Sequence, residues 1–362
     1  MKLGLANSTQ DPQLRGLVRS MAMPGAIRVA FAREPEFFPS LDIEGHFNQV
    51  IIASENKQLC GMAVRSIKTV YVNGIEQDIG YLHGLRLAEG ARRATLLGRG
   101  YRFLRQLHQD GRAPVYLTSI IESNKSVQEL LTSGRAGLPV YQDLGRFFTF
   151  AVNLNRHVRP NVKSDVIIRR GSEVPLADIS AFLQQEGRKQ QFFPVYTEQD
   201  LKSSTDFDPT QFYVLYDGNS LAGVCGVWDQ SAFKQNIITS YARWLATARP
   251  LINRGLMWSG FQPLPGAGKA LRSFYISFLA VCDQDPALFR MLLNAVYRDY
   301  CTKEYHYFLV GCHETSPLVR TMSSFFTIRY TSRIYLVYWQ DGQIVARQID
   351  SKMTPYLELA TL

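Results

Sequence analysis

A tyrosine and a histidine two residues apart, Tyr81 and His83, precede by a few residues an arginine pair, Arg92 and Arg93, in this 362-residue chain. Alternation along a strand puts Tyr81 and His83 on one face, and an imidazole has a pKa suited to taking a proton from an ammonium through water. The arginines fall at a helix entrance, where unpaired first-turn amides and the helix dipole already favour an anion, so a phosphate-bearing cofactor is expected there. Glu122, at the end of a following strand, is a second candidate base, and Asn124 opens a short helix. Each has a plainer reading: a hydrogen-bonded strand histidine, an N-cap asparagine, and, for Arg99, Arg102 and Arg105, a solvated helix face opposite Leu96, Leu97, Gly100, Phe103, Leu104 and Leu107. Cys282 and the run Cys312-His313-Glu314 close two later strands, and a thiol–imidazole pair or a metal site there is weighed against ordinary buried cysteine.

The elements that must hold these residues run from Asp78 to Asn124: a strand, DIGYLHGLRL, a basic turn, AEGARR, a helix, ATLLGRGYRFLRQLHQ, and a second apolar strand, PVYLTSII. Before them come an opening helix, DPQLRGLVRSMA, a strand, AIRVAFAR, and a hairpin of QVIIAS with QLCGMAVRSIKTVYV, with Asn73-Gly74 as a turn signal. A short helix, SVQELLTSG, and a strand, RFFTFAVNL, close this half. The polar stretch from Asn153 to Ser164 marks a boundary, giving domains 1–158 and 159–362. The second half repeats the order: DVIIRR, the helix LADISAFLQQEGRKQ, a hairpin about Asp217-Gly218, the strand SFYISFLAVC, a helix opened by Asp285-Pro286, YHYFLVGC, a helix at PLVRTMSSFF and RIYLVYW. A helical insertion is expected from about Ser240 to Leu264. The fold class is therefore α/β (α+β, mixed sheet), in two copies.

Composition narrows the setting. A hydrophobic content of 46% and a charged content of 20% describe an ordered globular protein, and a net charge of +9 describes one attracted to anions. No apolar run approaches the ~18 residues of a membrane span, and the N-terminus lacks the apolar core of a secretion signal, so a soluble, cytoplasmic protein with no membrane partner is expected. Five scattered cysteines without a C-x-x-C pair argue against disulfides and structural zinc, and no metal is expected.

The order of helix, antiparallel strands, long strand, basic turn into a helix, second strand, short helix and closing strand resembles the GNAT superfamily of acyl-CoA-dependent N-acyltransferases. The likeness covers most of residues 11–152 and, by element order alone, residues 165–340. It implies two tandem GNAT-like domains and an N-acetyltransferase using acetyl-CoA or another acyl-CoA as co-substrate, with a small-molecule or peptide amine as acceptor. It also implies that the family's pyrophosphate turn, Arg/Gln-x-x-Gly-x-Gly/Ala, falls on Arg92, Arg93, Ala94, Thr95, Leu96 and Leu97. Here Thr95 and Leu97 replace the two glycines. Asn124 matches the asparagine that touches the pantetheine arm, and backbone amides from Leu85 through Arg86 to Leu87 would hold the thioester carbonyl. Leu131 stands where many members carry a thiolate-protonating tyrosine, which leaves water or Tyr141 for that task. In the second half Asp283, Gln284 and Asp285 occupy the turn, and no coenzyme A is expected there. The alternative is a GNAT-fold binding or scaffold protein without the chemistry, or an RNA- or tRNA-associated aminoacyl-type transferase, with nucleic acid the less favoured partner.

Overall fold

A computed structural model describes residues 2–20, 22–23, 25–56, 58–88, 93–134, 137–158 and 166–362; the side chains of Met23, Arg93, Ala94 and Thr95 are outside that description. The first half contains β1 (Lys2–Leu5), α1 (Asp11–Ser20), β2 (Ala22–Met23), β3 (Ile27–Ala32), β4 (Phe47–Glu55), β5 (Gln58–Val72), β6 (Ile75–Leu87), α2 (Arg93–His108), β7 (Tyr116–Ile121), α3 (Lys125–Leu131) and β8 (Val140–Asn153). The second contains β9 (Ile167–Arg170), α4 (Leu176–Gly187), α5 (Glu198–Ser203), β10 (Phe212–Asp217), β11 (Ser220–Trp228), β12 (Gln235–Tyr241), α6 (Arg243–Trp258), β13 (Ser273–Val281), α7 (Pro286–Tyr300), β14 (Tyr307–His313), β15 (Thr327–Tyr338) and α8 (Gln343–Gln348). The expected domain boundary runs into residues 159–165, outside the described residues.

One sheet of twelve strands carries both halves, in the order β1-β4-β5-β6-β7-β15-β8-β14-β13-β11-β10-β9. Its neighbours are antiparallel except for two parallel pairs, β6 with β7 and β13 with β14, one in each half. The closing strands are exchanged. β8 pairs with β14 of the second half, and β15 pairs with β7 of the first, while the two also pair with each other. A smaller sheet, β12-β3-β2, ties the halves again, with Ile237 opposite Ala30.

Local chemistry accounts for the elements around the site. Asn73 and Gly74 both adopt positive φ, 53° and 77°, the pair a two-residue type I′ hairpin turn demands, so the Asn-Gly signal joins β5 to β6 as expected. The helix α2 buries Leu96, Leu97, Tyr101 and Leu104 against the sheet. Its C-terminal end is fastened by Arg65 of β5, a fully buried guanidinium that donates to both oxygens of Asp110 at 2.7 Å and to Tyr116 Oη at 3.1 Å. Gly80 is required beside Tyr116, whose ring would lie 1.9 Å from an added Cβ. The core is continuous across the exchange, since Val70, Tyr81 and Leu117 pack in one cluster with Ile334, Leu336 and Leu357.

Two expectations needed correction. The helix expected at PLVRTMSSFF is a 3-10 helix, Pro317–Ser324, in which the Ser323 hydroxyl bonds the Arg320 carbonyl and competes with α-helical pairing. The closing strands run longer than the apolar runs suggested, because polar residues such as Gln142 and Arg329 pair across the exchanged register. Among the described residues no helix is long and apolar enough to cross a membrane.

Candidate active site between diverging strands

The parallel pair β6/β7 is in register only at Gly80 with Tyr116 and Tyr81 with Leu117. Thr118 Oγ1 donates to the Leu82 carbonyl at 2.7 Å and Tyr81 Oη lies 3.4 Å from Ser119 Oγ, and beyond these ties the two strands part. A bulge lies at this point in β6. His83 pairs with Val64 and Arg86 with Met62, so Gly84 and Leu85 stand opposite Ala63 alone, with Gly84 at φ 62°. A bulge of this kind bends the strand and releases ladder groups from pairing.

The parted strands open into a cavity of about 590 Å³, roofed by α2. That lies within the ~300–1,000 Å³ typical of small-molecule sites. Its wall is largely apolar: Ile51, Val64, Leu97, Leu104, Ile120 and Leu131 line it, among others. Gly100 of α2 also faces it, with no atom within 4 Å of where a Cβ would stand. At the mouth lie Leu85, Arg86 and Leu87 from the bulge, Leu96, and Asn124, which precedes α3 without a side-chain capping bond.

The polar end is built around Glu44, a fully buried carboxylate from the loop before β4. It pairs with Arg33 and lies 2.9 Å from His83 Nε2, which is also 2.9 Å from Ser66 Oγ. Burial alone would raise the Glu44 carboxyl, but Arg33 and His83 outweigh it and hold the group below the usual carboxylate range. For His83 burial wins: it lowers the imidazole pKa against the pull of Glu44, helped by Arg33 and Lys68. The ring is thus neutral near pH 7. The tautomer with its proton on Nε2, toward Glu44 and Ser66, would leave Nδ1 as the basic nitrogen. Lys234, also on the wall, is lowered to about 7 by burial and then by Arg33; its ammonium reaches the Ala360 and Leu362 carbonyls, each at 3.2 Å. Burial likewise lowers Lys68 to about 8.

The structure gathers most of the sequence-derived site around this cavity: Tyr81, His83, Leu85, Arg86, Leu87, Leu96, Leu97, Asn124 and Tyr141 all line it. It separates their roles. Tyr81 is pushed well above its ordinary pKa by burial and stacks flat on His83 at 4.8 Å, so it braces the imidazole and is not a base. Tyr141 shares a hydrogen bond with Tyr101 and is held well above 10 by burial and that neighbour; a phenol so placed is a weaker acid than a thiol of pKa ~8.5 and cannot supply its proton readily. Glu122 does not reach the cavity. It pairs with Arg146 at 2.7 Å on the outer surface, with Arg333 nearby. Arg92 lies outside the described residues, as do the side chains of Arg93, Ala94 and Thr95. Sequence reasoning missed Glu44, Arg33, Ser66, Lys68 and Lys234, which come from scattered segments with no motif linking them.

The second half repeats the device and fills it. The pair β13/β14 is in register from Ser273–Tyr307 to Tyr275–Leu309, then parts ahead of a bulge at Phe278, φ 51°. Pro355, Tyr356 and Phe147 occupy the gap and leave about 20 Å³. Cys312 there is pushed up to about 12 by burial, and both nitrogens of His313 are engaged, with Thr315 Oγ1 at 2.8 Å and the Leu144 carbonyl at 2.9 Å. A nucleophilic thiol–imidazole pair is therefore absent from this point. Among the described residues no group of three or more His, Cys, Asp or Glu is placed to hold a metal.

Comparisons with known proteins bear on the fold. Two crystal structures of Saccharomyces cerevisiae N-myristoyltransferase with bound myristoyl-CoA superpose on this chain. One has a TM-score of 0.58 at 10% identity, covering 92% of this chain and 78% of the other; the second has 0.56 at 11% identity, covering 92% and 82%. No protein-family model and no curated protein sequence matches. At this identity the likeness is one of architecture alone: a large mixed sheet carried by two lobes in tandem.

Proposed function

We propose that this chain, built on the tandem GNAT fold, is an N-acyltransferase that moves a long acyl chain from coenzyme A to an amine. The observation that carries this reading is the first wedge, an apolar cavity of about 590 Å³ ending at a buried, neutral imidazole. An acetyl group would leave most of that wall uncovered, whereas each added methylene gains about 0.8 kcal/mol by leaving water. The neighbouring fold that was crystallised with myristoyl-CoA supports the same preference.

In this reading the thioester lies across the β6 bulge, where backbone amides of Leu85 to Leu87 polarise its carbonyl as negative charge develops. The N-terminus of α2 faces the pyrophosphate, and Asn124 meets the pantetheine arm at the mouth. His83 Nδ1 takes one proton from the incoming ammonium, directly or through one water. The amine nitrogen then bonds to the carbonyl carbon and the carbon–sulfur bond breaks. The second nitrogen proton leaves as the amide forms and reaches the departing thiolate through solvent. Glu44 fixes the imidazole tautomer and Tyr81 its plane.

The test is a calorimetric titration with acyl-coenzyme A from acetyl to palmitoyl, followed by assay of thiol release with amine acceptors. Affinity should rise roughly tenfold for each two methylenes until the cavity is full. Failure of every chain length to bind, or acetyl-CoA binding as tightly as the longest, would overturn the proposal.

A further inference from the structure

The helix α6 has two faces of opposite character. The inner face is fixed to the following loop: Leu245 is buried, Arg249 donates to the Pro265 carbonyl at 2.8 Å, and Asn253 exchanges hydrogen bonds with Leu264 at 3.1 and 2.8 Å. The outer face carries Trp244, Leu251 and Trp258 at seven-residue intervals, 65%, 75% and 85% exposed. Seven residues is close to two helical turns, so the three form one stripe. Arg243 and Arg254, both exposed, run along one flank of it.

Charge says what this stripe meets. No aspartate or glutamate occurs between Asp229 and Asp283, a stretch that carries exposed Arg243, Arg254 and Lys269. The adjoining strand β3, paired with β12 immediately before α6, adds exposed Arg28. Tryptophans flanking an aliphatic residue, with exposed arginines alongside, match the headgroup region of an anionic bilayer. A second copy of the chain fits poorly, since a two-fold contact through this face would bring Arg243 and Arg254 against like charge.

We infer that α6 is a peripheral docking helix that seats Trp244, Leu251 and Trp258 in the interface of an anionic lipid bilayer. Absence of a spanning segment, from which no membrane partner was expected, does not bear on a helix that lies in the surface plane. Docking here has a geometric consequence. Gln235 and Asn236 of β12 line the wedge cavity, and β12 runs directly into α6. The helix therefore holds that wall of the cavity close to the surface.

The test is co-sedimentation of the full chain with phosphatidylcholine vesicles, with and without about one third phosphatidylserine, read together with tryptophan emission. Trp228 and Trp339 are buried, so a blue shift on adding vesicles reports Trp244 and Trp258. The expected result is a shift and binding with phosphatidylserine, little of either without it, and weakening in high salt. The variant Trp244→Ala/Leu251→Ala/Trp258→Ala should lose on the order of tenfold or more in partitioning. Arg243→Glu/Arg254→Glu should lose on the order of tenfold by charge alone. All these side chains are exposed, and an unchanged melting temperature checks the fold. Binding unaltered in both variants, or no binding by the wild type, would overturn the inference. So would a wild-type dimer that the triple variant converts to monomer without any vesicle binding, which would assign the stripe to a second copy.

Discussion

Each half of the chain parts a parallel strand pair just ahead of a bulge, and the space beyond differs by a factor that packing decides: about 590 Å³ in the first wedge, about 20 Å³ in the second. The bulge residue is Gly84 in one and Phe278 in the other, both in the left-handed region. Gly84 puts no side chain into the cavity it lines. The ring of Phe278 instead stacks on Trp228 at 5.4 Å and packs among Phe207 and Phe212. A buried carboxylate accompanies each bulge, and the two are tuned in opposite directions. Glu44 has Arg33 and His83 and stays ionised. Glu358 lacks a cation that outweighs burial, which raises its pKa although it accepts from Phe278 N at 2.8 Å and Tyr356 Oη at 3.0 Å. The same backbone device thus serves as a container where its side chains are withdrawn and as a strut where they are driven in.

The contrast can be broken most severely at His83. His83→Gln should lower kcat/KM on the order of 10²–10⁴-fold. The neutral ring is the active form and burial disfavours the charged one, so activity in the wild type should fall only below pH 6.5, the ordinary histidine value. A pH–rate profile whose acid limb survives in the variant would remove His83 from this role. Next are the paired carboxylates. Glu44→Gln, which strands Arg33 in the interior, should cost about 3–5 kcal/mol in urea unfolding, while Glu358→Gln should stay within ~1 kcal/mol of wild type. Their pH signatures have opposite sign. The Glu44 contribution is complete above its ordinary 4.5 and is lost as pH falls below it; that of Glu358, whose folded pKa is raised, is present below 4.5 and is lost as pH rises through the folded value.

Filling the first wedge sharpens the comparison by making it resemble the second. Gly100→Phe projects a ring into open cavity, and at about 0.8 kcal/mol per methylene excluded, losing four methylenes weakens long-chain acyl-CoA binding on the order of 100-fold. Acetyl-CoA binding should change little, which a titration across chain lengths reads directly. The smallest effect is at the bulge: Gly84→Ala forces a Cβ into a positive-φ site and should cost ~1–2 kcal/mol in stability. Thermal unfolding would show it.

Periodicity and turn chemistry made individual elements legible in the sequence. The Asn73-Gly74 turn, the apolar face of α2 and the Asp285 cap of α7 are local signals, and local signals determine where an element starts and which face it buries. The strand exchange was not legible, because nothing within β8 or β15 names its neighbour and each partner lies in the other half of the chain. The site divided in the same way. Tyr81, His83 and the bulge residues share one strand and were found together. Glu44 and Ser66, which contact His83, and Lys234, which lines the wedge, come from segments up to 151 positions beyond His83, and only folding brings them together. Glu122 misled for a related reason: position at a strand end does not say toward which side the carboxylate turns, and Arg146 and Arg333 draw it outward.

The exchanged closing strands also set the timing of assembly. As the chain emerges during synthesis, β7 is complete long before its neighbour β15 exists, so the edge beside the wedge waits unpaired for some two hundred residues of translation. The site cannot be finished by its own half. Truncation after β8 would leave an unpaired edge that invites association, and unfolding of the intact chain should proceed as one cooperative event.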